Sequence, residues 1–166
     1  MTLSSLKEYA KHKDGTYVAL QMSQGSKDLL YNFVKNNLGL DEIVSKDSYH
    51  ITVIYSRTPV PDAEKIKGEH HAMALCTGYD MFSTKDGGKC LVMRVNCTNA
   101  TELNAQLTKM GATSDYPEYK AHITIAYNIT QEIDPTTLPC PVFSLHFDEL
   151  HVAPLDPAFV PSNDAK

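Results

Sequence analysis

Two copies of the tripeptide His-Ile-Thr are the residues of this chain best suited to chemistry: His50-Ile51-Thr52 and His122-Ile123-Thr124. Each opens a short apolar run, the first ending at Tyr55 and the second at Tyr127. Side chains alternate faces along a strand. His50 and Thr52 therefore share one face, with Ile51 and Val53 on the other, and the second run repeats this with His122 and Thr124 against Ile123 and Ile125. An imidazole takes or gives a proton near neutral pH, and a hydroxyl beside it donates to an anionic oxygen. Two such pairs facing each other can do acid–base chemistry on a phosphate. In a chain with 7 His the bare repeat has modest weight. Its context adds more: the shared Ile, the apolar continuation and a Tyr at the fifth place after each His. The alternative is two half-buried strand pairs that only satisfy each other's hydrogen bonds.

The surrounding elements must bring the two copies together. Thr16–Met22 reads as a strand rich in β-formers. Gly25 breaks it, and Ser26 is the expected N-cap of a helix through about Leu38, with Leu29, Leu30, Phe33, Val34 and Leu38 inward and Gly39 as its stop. A loop from Asp41 to Ser48 leads to the first motif strand. The order then recurs. Lys89–Val95 reads as a strand, and Thr98 or Asn99 caps a helix to about Met110, with Leu103, Leu107 and Met110 inward and Gly111 as its stop. A loop carrying Pro117 leads to the second motif strand. Both the two histidines and the two leading strands lie about 72 positions apart, which reads as a degenerate internal duplication. Between the halves, His71–Phe82 reads as a strand and Asp86-Gly87-Gly88 as a hairpin turn; Pro141–Val152 alternates like a long strand, and Pro154–Lys166 reads as a loose tail.

Composition narrows the function. The chain has 166 residues, a formal charge of −5 and only two arginines, Arg57 and Arg94. That argues against a surface tracking a long nucleic acid, which needs clustered Lys and Arg. A small anionic ligand held in a pocket by a few local donors remains compatible. No apolar run reaches the ~20 residues that cross a bilayer, and Met1–Lys13 is polar, so a cytoplasmic protein with no membrane partner is expected. The 4 cysteines, Cys76, Cys90, Cys97 and Cys140, form no CxxC pair, which disfavours a zinc or thioredoxin-type site; the first three read as small core residues.

Two His-x-Thr strands in matching halves resemble the 2H (two-histidine, LigT-like) phosphoesterase superfamily, over nearly the whole chain from about Tyr17 to Pro154. Within it, the segments Asp14–Ala19, Ser48–Tyr55 and Phe147–Leu155 resemble the phage anti-CBASS nucleases, which degrade cyclic di- and trinucleotide alarm signals of bacterial immunity without metal. The resemblance implies an α+β, bilobal, pseudo-symmetric fold in which two antiparallel sheets form a central cleft with helices outside. The chain is read as one such domain, residues 1–166, with lobes of roughly 14–70 and 71–155 and a tail at 156–166. It implies catalytic roles for His50, Thr52, His122 and Thr124, base stacking by Tyr17, and a base-edge contact from Glu149. Trp is absent from the chain. Phe82 or Tyr79 is therefore the expected replacement for any stacking Trp, and Tyr116 and Tyr119, just before the second motif, either line the pocket or shield the strand end.

The reaction so implied is hydrolysis of 3′–5′ bonds in cyclic di- or trinucleotide messengers, with no cofactor and no metal, in the cytoplasm of an infected bacterium. The alternatives are an RNA 2′,3′-cyclic phosphodiesterase and a protein that sequesters nucleotides without cutting them. The remaining polar candidates have plain readings. Tyr17 is otherwise an ordinary strand aromatic and Glu149 a solvent-facing carboxylate. His70 and His71 are adjacent and face opposite ways, as do His146 and His151; His12 reads as solvated; Lys85 and Lys89 flank the Gly-Gly turn, keeping it soluble or holding phosphate.

Overall fold

The computed structural model describes residue 7 and residues 10–84, 87–156 and 158. Six strands are present in the described residues: β1 (Thr16–Met22), β2 (His50–Ser56), β3 (Gly68–Ser83), β4 (Lys89–Asn96), β5 (His122–Ala126) and β6 (Leu145–Pro154). Two longer helices, α1 (Gln24–Asn37) and α2 (Thr98–Lys109), follow β1 and β4. Every pairing is antiparallel, and the strand order is β2-β1-β6-β3-β4-β5. This is a mixed α and β fold of the kind expected.

The ladders divide into two antiparallel halves, β2-β1-β6-β3 and β3-β4-β5, joined in one six-stranded order. The join is β3, whose 16 residues pair with β6 from Gly68 to Ala74 and with β4 from Leu75 to Ser83. A single long strand thus belongs to both halves. The motif strands β2 and β5 hold opposite ends of the strand order yet lie against each other. The sheet must curl to allow this, in the sense that strand twist and bulges favour.

The core lies on the sheet face away from the motif side chains. Leu20, Ile51, Val53, Met93, Ile123 and Ile125 cluster there with Leu30 and Val34 of α1 and Leu103 and Leu107 of α2. α1 packs on β6, and α2 on β2 and β3. Leu107 is fully buried, so truncating it to Ala costs about 2–5 kcal/mol.

Local differences have local reasons. The N-cap of α1 is Ser23, whose Oγ accepts from the Ser26 N–H at 3.4 Å. Ser26 itself is buried in the first turn, where its Oγ accepts from the His146 N–H at 2.8 Å and ties the helix to β6. Leu29 faces solvent, 53% exposed, on the helix side away from Leu30 and Val34. The N-cap of α2 is Cys97. The final strand begins at Leu145, not Pro141, and Val142 is exposed. His12 is not solvated. It is fully buried, with Nδ1 2.9 Å from Thr16 Oγ1 and Nε2 2.9 Å from Glu64 Oε1. The hairpin expectation rests partly on Asp86, which, like Lys85 and nearly all of the tail beyond residue 156, lies outside the described residues. At its described ends, the Thr84 N–H donates to Gly88 O at 2.8 Å. No helix of the described residues is long and apolar enough to cross a membrane.

Candidate active site

The two motifs have the same backbone setting. β1 meets β2 with Gln21 opposite His50 and Ala19 opposite Thr52; β4 meets β5 with Arg94 opposite His122 and Val92 opposite Thr124. Both registers then slip. Val18 faces Ile54 and Leu91 faces Ala126, so Val53 and Ile125 are each an extra residue on the motif strand. A bulge of this kind reverses the alternation beyond it. Val53 and Ile54 are accordingly both buried, as are Ile125 and Ala126. The following tyrosines, Tyr55 and Tyr127, are returned to the His-Thr side, where unbroken alternation would have turned them away. With Ala19 matching Val92, the leading strands repeat at 73 positions, against 72 for the histidines.

Both imidazoles are held alike. His50 Nδ1 lies 2.6 Å from Ser48 O, and His122 Nδ1 lies 2.9 Å from Lys120 O. A backbone carbonyl only accepts, so each Nδ1 must carry a hydrogen. In the neutral imidazole, Nε2 is then left with the lone pair and can act as a base; in the charged form it carries a proton to give. His50 is held below the ordinary histidine value, chiefly by burial and further by the charges of His122 and His151; its bond to Ser48 acts in the opposite sense. The charges of His122 and His151 are thus both felt at His50.

The threonines are positioned by neighbours that also match across the repeat. Tyr17 Oη is 3.2 Å from Thr52 Oγ1. At the corresponding place, Cys90 hydrogen-bonds with Thr124, which also hydrogen-bonds with Tyr127. Burial pushes the Tyr17 phenol up and the Cys90 thiol up to about 11, so both stay protonated at neutral pH.

Of the other expected residues, Tyr17 stands edge-on to both His50 and His151, with ring centroids 6.4 Å apart in each pair. Phe82, 46% exposed at the end of β3, stands edge-on to His122 with centroids 6.2 Å apart. Glu149 on β6 is exposed and lies in register between Gln21 and Glu69. Tyr116 is 77% exposed in the loop before β5, beside Asp115, which is ion-paired to Arg57. Tyr79 is not a cleft aromatic. It faces the core, 3% exposed, and its hydroxyl donates to Pro139 O at 2.9 Å. Tyr119 donates to Thr52 O at 2.8 Å and so supports the motif strand.

Three neighbours of the site escape a reading of the motifs alone. His151 follows Glu149 by two residues, and that spacing is the signal that places both on one strand face. Tyr127 was visible as the fifth residue after His122, but only the bulge explains its orientation. Arg94 needed the β4–β5 register. Among the described residues, no three His, Cys, Asp or Glu side chains converge in a way that could hold a metal ion.

Solved structures with a similar fold include TT0787 of Thermus thermophilus (TM-score 0.59, 11% identity, 82% of this chain and 86% of that one) and E. coli LigT complexed with NADP+ (TM-score 0.54, 17% identity, 82% and 85%). The chain likewise shares its fold with a solved phosphoesterase (TM-score 0.53, 14% identity, 82% and 85%). The family model of the anti-CBASS protein Acb1 matches residues 14–161, and the chain belongs to that family. Relatives include the anti-CBASS protein Acb1 of Vibrio phage KVP40, 32% identical over 90% of this chain and 93% of its own length, and that of Enterobacteria phage T4, 27% identical over 74% and 78%.

Proposed function

We propose that this protein hydrolyses the 3′–5′ phosphodiester bonds of cyclic di- or trinucleotide messengers, without metal, and so blocks CBASS defence in the cytoplasm of an infected bacterium. His50, Thr52, His122 and Thr124 are the catalytic residues of this reading. The observation that carries it is the matched pair of imidazoles, each with Nδ1 committed to a carbonyl and Nε2 left for proton transfer.

One imidazole takes the proton of the attacking 2′-OH as its oxygen bonds to phosphorus, and the other gives a proton to the departing 5′ oxygen. The product of this step is a 2′,3′-cyclic phosphate. The two then exchange roles: water attacks the phosphorus, the 2′ oxygen leaves, and a 3′-phosphate remains. The threonine hydroxyls donate to the nonbridging oxygens, where charge shifts during the reaction. Tyr17, Phe82, Glu149 and Tyr116 contact the nucleosides in this reading, and the exposed positions of Phe82, Glu149 and Tyr116 leave them accessible to a ligand.

The test is incubation with 3′3′-cyclic GMP–AMP and, separately, with RNA ending in a 2′,3′-cyclic phosphate, both in excess EDTA, followed by chromatography. Cleavage of the cyclic dinucleotide is expected. Cleavage of the RNA end alone points to the RNA phosphodiesterase. Binding without cleavage points to sequestration, and loss of activity in EDTA removes the metal-free mechanism.

A further inference from the structure

The two halves of the site repeat closely in backbone but not in charge. The β1 residue opposite His50 is Gln21, whereas the β4 residue opposite His122 is Arg94. Arg94 alternates with Val92 and Cys90 on the face that carries His122, while Leu91, Met93 and Val95 turn into the core. Directly opposed residues on one sheet face have Cβ atoms only ~5 Å apart, so Arg94 and His122 are immediate neighbours.

The guanidinium is seated rather than loose. Its Nε lies 3.4 Å from Asp80 Oδ2 on β3. It rests over Gly78, where a Cβ would overlap Nη2 and where φ of +147° already favours glycine. The β3 register slips between Cys76 and Gly78, at the place where this seat forms. The side chain is nonetheless 48% exposed. With Nε turned to Asp80, the Nη groups still carry a forked pair of donors of the kind that matches phosphate oxygens.

We infer that Arg94 binds a second phosphate of the substrate, next to the one undergoing cleavage. This rests on the functional reading above. Every 3′–5′ link of a cyclic oligonucleotide carries a phosphate, so with one between the imidazoles another must lie nearby. A 2′,3′-cyclic mononucleotide has no second phosphate to offer. Arg94 is therefore a specificity residue that favours ring substrates over single cyclic phosphates, and Gln21 marks the half of the site that lacks this charge.

The experiment compares kcat/KM for 3′3′-cyclic GMP–AMP with kcat/KM for 2′,3′-cyclic AMP in the wild type, Arg94→Gln and Arg94→Lys, with thermal unfolding as the control for folding. The ratio of the two constants is expected to fall by about 10- to 100-fold in Arg94→Gln, the range for a hydrogen-bonded charge. Arg94→Lys, which keeps the charge but loses the fork, should fall between. Equal losses on both substrates, or no loss, in a folded Arg94→Gln protein overturn the assignment while leaving the functional reading intact. A wild-type protein that leaves cyclic dinucleotides uncut defeats the functional reading, and the assignment falls with it.

Discussion

The Tyr119 hydroxyl donates to the carbonyl oxygen of Thr52 at 2.8 Å, so the loop entering the second motif strand grips the first. The reverse contact also exists: the Val44 N–H, in the loop before β2, donates to Ile125 O on β5 at 2.9 Å. β2 and β5 are edge strands and exchange no ladder hydrogen bonds. These two reciprocal bonds tie each motif strand to the loop that introduces the other, and the Asn104 side chain on α2 adds a third at Val53 O, 2.9 Å. The relative placement of the two histidines therefore depends on loop residues as well as on the sheet.

Tyr119→Phe keeps the partly buried ring and removes one bond. The expected loss of stability is about 1–2 kcal/mol, measured by urea unfolding. Turnover should fall about tenfold or more, because small misplacements of reacting groups are costly. Unchanged kcat in the folded variant shows that this bond does not align the site.

His50→Ala and His122→Ala should each lower turnover of the cyclic dinucleotide by about 10²–10⁴-fold with the fold intact. Thr52→Ala and Thr124→Ala should cost less, about 10- to 100-fold, since each removes one donor to an anionic oxygen. Substantial activity in the doubly substituted His variant would falsify the acid–base pair.

His50 should titrate below the ordinary histidine value of about 6.5, because burial and two neighbouring imidazoles oppose its charge. Replacing His151 with Gln removes one of those charges and should raise the midpoint; NMR of the imidazole nitrogens reads both. The sign for stability follows. The folded state resists protonation more than the unfolded chain, so this group's contribution is complete above about 6.5. It is lost progressively as pH falls from there toward the lower folded value. A midpoint at or above the ordinary value, or no rise in His151→Gln, counts against this account.

Glu64 anchors the start of β1. Burial raises its pKa, but hydrogen bonds from Lys67, His12 and Lys11 outweigh that and bring it to about 2. Glu64→Gln leaves the buried His12 without its carboxylate and should destabilise the fold by about 1–3 kcal/mol at pH 7. Because the folded value is depressed, the wild-type advantage is full above the ordinary carboxylate value and disappears as pH falls through about 2. Equal unfolding midpoints of the two proteins at pH 7 would exclude the role.

Periodicity alone made much of this protein legible. Strand alternation placed His50 with Thr52 and His122 with Thr124, and the helical spacing of Leu30 with Val34 and of Leu103 with Leu107 marked the faces that bury. Turn chemistry was less reliable where two serines competed: Ser23 and Ser26 are both plausible caps, and the choice fell to Ser23 because Ser26 is needed by the His146 N–H. His12 read as solvent-facing because its partner Glu64 lies 52 residues away.

Local pattern determined the elements, their order and the chemistry of the duplicated motif, since these depend on neighbours within one or two turns of chain. Tertiary structure alone decided which residues stand beside the motif. Arg94 meets His122 through strand register, the charge of His151 on β6 reaches His50 on the far side of β1, and the bulges at Val53 and Ile125 turn Tyr55 and Tyr127 back to the His-Thr face. Register and bulges are set by how whole strands pack against the core, and a one-residue slip moves every later side chain to the other face.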